Sequence, residues 1–443
     1  MTIRSITLLG SSSGRNVGDA TLITGIMEAI NNACNADILY EIPTVRPSYI
    51  REHYAGYRVR PISMLPWHGS VKMLGLPTLR SILRTDMSLV FDAILFDRSL
   101  YNPLFNYMWT VSWLLPLAKR RGKATGFYNV GIGPVNTVAG RRILRQLSDT
   151  VDFITVRDVD SYRILQEIGA CTDNIVVGAD AALYVPRQDP QRGAALLQEI
   201  GLSPKEEILA VNINAYMDTW AGPDVKPMGK ERFIQAYAEV LDRVQAATGV
   251  PILFVCTQTM DVAINKDVME RMTSGGPKVL LSNVNRGHLD IKAALGRVSM
   301  LFGMRLHSLI LATSELTPVV GAAYQPKVRH YLRTLGLQDY CVGFEEFEPA
   351  QVATAVVNGW LDRVRQRQML AERIPVLRER ASIAAKLVAA VHRGEGIGPV
   401  VTRFATAAAN RALIDDTPPM GNVSLEQEQA PTDYRSQENS RAQ

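Results

Sequence analysis

Residues 299–327 read SMLFGMRLHSLILATSELTPVVGAAYQPK, and the order of residue types in them decides the fold class. Met300, Leu301 and Phe302, with Met304 past Gly303, form a short apolar run that leads straight into Arg305 and His307. Leu309, Ile310 and Ala312 then follow at helical spacing among small residues. A short apolar run feeding a helical pattern predicts a buried strand joined directly to a helix. In an open parallel sheet that junction lies at the carboxyl edge, where α/β folds bind ligands. After Thr317-Pro318 a second strand is expected over Val319–Ala323, and Tyr324-Gln325-Pro326-Lys327 opens another helix. Lys327 therefore falls on the same edge as Arg305.

These three side chains suit an anion. A helix start offers unpaired N–H groups and the positive end of its dipole. Arg305 adds a planar fork of donors matched to carboxylate or phosphate, and His307 a group that carries a proton near neutral pH. Either residue alone is compatible with a cap or a surface contact; the cluster points to an anion site with an acid beside it.

Bulk properties bound the rest. A chain of 443 residues exceeds one ordinary core, and about two or three domains follow from length. With 47% hydrophobic and 21% charged residues the composition is that of a globular protein. A net charge of +5 and a pI near 8.9 suit anionic substrates or a membrane surface. They fall short of a nucleic-acid signature, and no basic run interleaves with aromatics. Cys34, Cys171, Cys256 and Cys341 lack CxxC spacing, so neither a zinc site nor a disulfide framework is indicated, and a reducing, cytoplasmic setting is expected. The start Met-Thr-Ile-Arg enters a strand at once and leaves no room for a signal peptide. No apolar run is long enough to span a bilayer. The nearest is Tyr107–Ala118 (YMWTVSWLLPLA), followed by Lys119, Arg120, Arg121 and Lys123. It reads as a buried helix with a basic end or as a membrane-docking patch, which would make the protein membrane-associated.

Taken in order, the first half alternates strand and helix. Ile3–Leu9 is an apolar strand, Gly10–Asp19 (GSSSGRNVGD) a turn-rich loop, and Ala20–Ala33 a helix. Strand, small-residue loop and helix is the layout of a phosphate cradle, although neither a P-loop nor GxGxxG is present. Ser11–Gly18 lets a polar ligand approach the backbone; Asp19 is either a helix cap or a base toward a hydroxyl. Further strands are expected at Ile38–Ile42, Ala93–Phe96, Ala124–Tyr128, Phe153–Val156 and Ile175–Val177. The alternation implies a parallel sheet. Asn129–Pro134 (NVGIGP) follows one strand as a glycine loop, and Arg157-Asp158 follows the next. Arg157 is a structural ion-pair partner unless it faces the cleft.

Near Val185-Pro186 the pattern restarts. Strands at Ile208–Ile213, Ile252–Cys256 and Val279–Leu281, with helices between, lead to the opening stretch and define a second doubly wound domain. The expected organisation is residues 1–185 and 186–348 as two Rossmann-like domains, 349–398 as a helical segment returning over the first, and 399–443 as a disordered tail.

Six segments in order resemble the polysaccharide pyruvyl transferase family: NVGDATL (Asn16–Leu22), GIGP (Gly131–Pro134), ITVRDVDSYRILQEIG (Ile154–Gly169), VGADAAL (Val177–Leu183), GMRLHSLILA (Gly303–Ala312) and AYQPKVRHYLRTLGL (Ala323–Leu337). The resemblance implies a GT-B-like α/β fold, with two Rossmann-type doubly wound domains facing across a cleft. It also implies transfer of the enolpyruvyl carbon of phosphoenolpyruvate to two hydroxyls of one sugar of an envelope or exopolysaccharide, giving a cyclic ketal. On that reading Arg305, Lys327 and Arg157 bind phosphoenolpyruvate, and His307 is the general acid. Asp19 is the base, with Asp180 a weaker alternative of structural role. Asn16, Gly18, Gly131 and Gly133 line the acceptor side, for a free or lipid-linked saccharide. Neither metal nor organic cofactor is implied, and no nucleic acid. One departure stands out: the family's Gly-Gly-rich turn after the strand expected at Ala93–Phe96 is replaced by ILFDRSLYN (Ile94–Asn102). Two other functions fit the same architecture: a glycosyltransferase using a nucleotide-sugar, with Glu345 and Glu346 as candidate ribose ligands, and a non-catalytic scaffold for polysaccharide assembly.

Overall fold

A computed structural model of the chain describes residues 2–63, 75–101, 106–215, 228–344, 347–407, 410 and 412–413. Asn102, Glu345, Glu346 and the expected tail from residue 414 lie outside the described residues. The strands divide between two wholly parallel sheets. The first contains β1 (Ser5–Leu9), β2 (Leu39–Thr44), β3 (Val59–Ser63), β4 (Met87–Val90), β5 (Ala124–Val130), β6 (Phe153–Val156) and β7 (Ile175–Val177), in the spatial order β3-β2-β1-β4-β5-β6-β7. The second contains β8 (Leu209–Asn212), β9 (Ile252–Cys256), β10 (Lys278–Ser282), β11 (Met300–Gly303), β12 (Val319–Ala323) and β13 (Cys341–Gly343), in the order β10-β9-β8-β11-β12-β13. Helices cover both faces, so central strands such as β4, β6, β8 and β11 are buried at every position.

The order reverses between β1 and β4 in one sheet and between β8 and β11 in the other. At such switch points the loops leaving neighbouring strands diverge and open a crevice at the carboxyl edge. Leu9 pairs with Val90 and Gly303 with Asn212, so the loops starting at Gly10 and Phe91, and those at Ile213 and Met304, flank the two crevices.

Three strands differ from expectation. The strand expected at Ala93–Phe96 ends at Val90 instead, because the chain turns at Asp92, whose φ of 70° breaks extended pairing. Apolar residues lie on both sides of Asp92, which hid the turn. Strands β3 and β13 sit at sheet edges, where Pro61 and a length of three residues suffice.

The domains close on each other through the Val17–Cys34 helix. Asn16 caps it by accepting from Gly18 N–H (2.9 Å). Its start is stitched to the second domain: Val17 N–H donates to Thr257 O (2.8 Å), Thr259 N–H to Arg15 O (3.2 Å) and Asn283 Nδ2 to Arg15 O (2.9 Å). Farther along, Thr24 Oγ1 meets His288 Nε2 at 2.7 Å, and Tyr49 Oη meets its Nδ1 at 3.2 Å. After the second sheet the helices Arg363–Ala381, Ile383–His392 and Ile397–Ala405 cross back to the first domain. Asn129 Nδ2 donates to Ala381 O (2.9 Å), Arg380 Nη2 to Gly178 O (2.7 Å) and Val177 N–H to Asn410 Oδ1 (2.9 Å). Ordered packing thus runs past Pro399, where a tail was expected to begin, because Val400, Val401 and Ala405 bury an apolar helix face.

His288 makes this interface sensitive to acid. Burial, then His53 and Arg192, pushes its pKa down to about 3, against a smaller upward pull from Asp290. The unfolded chain takes up this proton below about pH 6.5 while the folded chain does not, so stability falls as pH drops from about 6.5 toward 3. At pH 5 the loss from this residue is about 2 kcal/mol. Urea unfolding at pH 7 and pH 5 should show the wild type losing that much more than His288→Asn.

Candidate functional site

The interdomain crevice gathers side chains from both carboxyl edges. His307, in the first turn of the Leu306–Ser314 helix after β11, packs its imidazole on Gly18, in the first turn of the Val17–Cys34 helix. A Cβ at Gly18 would lie 2.2 Å from His307 Nδ1, so only glycine admits this approach. The other ring nitrogen, Nε2, faces Asp180 Oδ2 at 3.5 Å. That is ion-pair distance without a formed hydrogen bond, and both atoms are buried with no hydrogen-bond partner.

Asp180 is anchored by accepting from Ala182 N–H with its other oxygen (3.0 Å). Burial alone would raise its pKa; His307 and Arg157 outweigh burial and hold it below the usual carboxylate range. It is therefore an anion placed 3.5 Å from His307 Nε2. Arg157, one residue past β6, extends Nη1 to Asp180 Oδ2 (3.6 Å) and Nε to Asp158 Oδ2 (3.3 Å). Its guanidinium lies against Gly131, where a Cβ would be 2.6 Å from Nη2. It is both a structural pair and a cleft residue.

Arg305 differs from expectation. Its fork is already held bidentately by the fully buried Asp261, through Nε to Oδ2 and Nη2 to Oδ1 (2.7 Å), while its N–H donates to Asn212 Oδ1 (3.1 Å). Two of its five guanidinium donors are spent on holding the β9 and β11 loops together. Lys327 makes no ion pair among the described residues. Its side chain is exposed to solvent, although neighbouring crevice residues crowd it. That enclosure, then the guanidiniums of Arg157 and Arg305, pushes its pKa down to about 8, with Asp92 and Asp19 opposing.

Asp19 accepts from Asn16 Nδ2 (2.9 Å) and is half-buried. Burial and then Asp92 raise its pKa well above the ordinary value, more than Arg305 and Lys327 lower it. Asn16 is thus the helix cap and the support of Asp19. Gly133, at φ 105°, donates its N–H to Leu95 O (2.8 Å) and packs on Ile164, which places it behind Gly131.

Asp92 is the functional candidate that sequence reasoning missed. It leaves β4 at the switch point in a left-handed conformation that non-glycine residues rarely adopt, and such strain persists where surroundings enforce it. Its carboxylate accepts from Ala93 N–H (2.6 Å), its carbonyl from Gly131 N–H (3.3 Å). Placing the strand six residues earlier, at Met87–Val90, leaves Asp92 in the loop that follows it. The segment read as a replaced glycine turn instead supports the fold through Asp97, which is buried, accepts from Thr137 N–H (2.5 Å) and packs on Gly140. Asp261 was also missed; its only signal was a position shortly after β9. No group of three or more His, Cys, Asp or Glu residues gathers as a metal site among the described residues.

Two parallel-sheet domains, carboxyl edges face to face, with a helical return over the first, define a GT-B-like protein. Solved structures similar in fold include the putative UDP-N-acetylglucosamine 2-epimerase of Listeria monocytogenes (TM-score 0.58, 11% identity, covering 89% of this chain and 97% of that one). The UDP-GlcNAc 2-epimerase of Methanocaldococcus jannaschii is another (TM-score 0.54, 12% identity, 80% and 91%). Within this class, the chain belongs to the polysaccharide pyruvyl transferase family, whose model matches residues 16–326. It is also similar to the amylovoran biosynthesis protein AmsJ of Erwinia amylovora, with 22% identity over 403 residues, 82% of this chain and 93% of that protein.

Two substitutions probe the crevice. Gly18→Ala should cost about 1–3 kcal/mol by overpacking, and its effect should be non-additive with His307→Ala in thermal melts. Asp92→Gly should raise the melting temperature, by about 0.5–1 kcal/mol of relieved backbone strain.

Proposed function

We propose that the protein transfers the pyruvyl group of phosphoenolpyruvate onto two hydroxyls of one sugar in an extracellular or envelope polysaccharide precursor, forming a cyclic ketal. Membership of the pyruvyl transferase family supports the reaction class. The observation that carries the site is the contact of His307 with Gly18 and Asp180, which assembles an acid from one domain and its counter-ion from the other.

Phosphoenolpyruvate carries a carboxylate and a phosphate. Lys327 and the free edges of Arg157 and Arg305 are the cations that receive them. His307, charged with Asp180 as its counter-ion, gives a proton to the methylene carbon, and the C2 centre becomes oxocarbenium-like. The first sugar hydroxyl forms a C–O bond to C2 and yields its proton to Asp19, whose raised pKa makes it a strong base once ionised. The C2–O bond to phosphate breaks, phosphate departs with the bonding pair, and the second hydroxyl closes the ketal and releases its proton. The sum is phosphoenolpyruvate plus diol giving ketal plus inorganic phosphate. Gly18 and Gly131 let His307 and Arg157 pack directly on the backbone, which sets the two charged groups beside the acceptor.

Calorimetric titration of the full chain with phosphoenolpyruvate, with uridine diphosphate for comparison, tests the donor. Selective phosphoenolpyruvate binding that weakens at least tenfold in Lys327→Gln is expected, with His307→Gln retaining binding and losing transfer. Binding of uridine diphosphate alone would overturn the reading in favour of a nucleotide-sugar enzyme. Lys327 is cationic below about pH 8, so affinity should drop roughly tenfold between pH 7 and pH 9. Lys327→Arg should abolish that drop.

A further inference from the structure

The Tyr107–Arg120 helix carries more apolar surface than its core uses. Met108, Val111, Leu114, Leu115 and Ala118 are buried against β5 and the neighbouring helices, which satisfies the demand of an ordinary amphipathic helix. The adjoining stripe, spaced i, i+4, i+8, is Trp109, Trp113 and Leu117, where charged residues would be expected; Trp109 is half-buried against the core, Leu117 half-buried and Trp113 exposed. Trp113 is 56% exposed, and the edge-on ladder Tyr101–Trp109–Trp113, with ring centroids 5.3 and 5.5 Å apart, continues the stripe to Tyr101, itself 63% exposed. Leu76 opens the adjoining Leu76–Arg84 helix at 63% exposure. The stripe ends in a basic cluster: Lys119 is paired with Asp152 (2.5 Å), whereas Arg120 and Arg121 are exposed and Lys123 half-exposed.

We infer that this face docks on an anionic lipid bilayer. Tryptophan and tyrosine prefer the headgroup level, where an apolar ring and a polar edge are both satisfied, and exposed cations beside them are drawn to anionic lipid. Roughly 16 Å separates Trp109 from Arg120 along the helix, so the contact is a helix lying in the surface plane. A saccharide platform would set hydrogen-bonding side chains around the rings; here the flanking polar groups face inward, Ser112 Oγ to Trp109 O (2.7 Å) and Asn106 Nδ2 to Phe96 O (2.8 Å). The contact also sets the catalytic crevice beside the lipid: Tyr107 Oη donates to Gly10 O (3.2 Å) of the crevice loop, two residues before Trp109. The docking surface itself does not depend on the pyruvyl transfer reading.

Sedimentation of the full chain with phosphatidylcholine vesicles, with and without phosphatidylglycerol, tests this directly, with tryptophan emission read in parallel. Binding only to vesicles containing phosphatidylglycerol, a blue shift on binding, and release by salt are expected. Arg120→Glu/Arg121→Glu should weaken partitioning on the order of a hundredfold, and Trp113→Ser should remove most of the blue shift, with melting temperatures and phosphoenolpyruvate affinity unchanged in both variants. Absence of binding to the anionic vesicles, or equal binding by the variants, would overturn the inference. So would quenching by soluble oligosaccharide, or a concentration-dependent dimer lost in Trp113→Ser, without vesicle binding.

Discussion

A missing side chain holds the two halves of this protein in register. Because Gly18 has no Cβ, the first turn of the Val17–Cys34 helix seats directly on His307, and the backbone of Arg15 to Val17 reaches the end of β9. That helix is buried along most of its length, on its own sheet and on the second domain, so crevice width is set by core packing rather than by flexible loops. The contacts that cross the crevice inherit their geometry from this closure: Asp180 meets His307 only if the helix seats, and Asp19 approaches Arg305 and Lys327 only across the same gap.

The crevice is close to charge-balanced, which distinguishes it from a simple cationic trap. Asp261 neutralises Arg305, while Asp158 and Asp180 neutralise Arg157. In a confined space such pairs fix geometry and limit the self-repulsion of three clustered cations. The side chains left to change protonation are those whose neighbours disagree. Lys327 is pulled down by enclosure and guanidiniums, and Asp19 is pushed up by burial and Asp92. Groups displaced toward each other in this way suit proton transfer better than tight storage of an anion.

Much of this was legible in the sequence. Short apolar runs ending in Arg305-Leu306-His307 and Arg157-Asp158 predicted strand ends at a carboxyl edge; His307 and Arg157 meet across the crevice at Asp180, while Asp158 caps the next helix. Lys327 was placed by the same logic one strand later. What escaped detection was tertiary. The pairing of Arg305 with Asp261 links segments 44 residues apart that share no pattern. Asp92 was missed because apolar residues lie on both sides of it, Leu89–Phe91 and Ala93–Phe96, and nothing in hydrophobic periodicity tells which of the two is the strand or where the backbone turns left-handed. Order beyond Pro399 was missed because Ile397–Ala405 is too short to declare itself without the β6–β7 surface it covers.

The helical return also fixes an order of events during synthesis. His392 Nδ1 lies 2.9 Å from Ile3 O, and Asn410 Oδ1 accepts from Val177 at the rim of the first sheet. These contacts cannot form until residues 392 and 410 have left the ribosome. The domain translated first is consequently the one completed last, and its uncovered apolar surface must stay out of aggregation while the whole second domain is made.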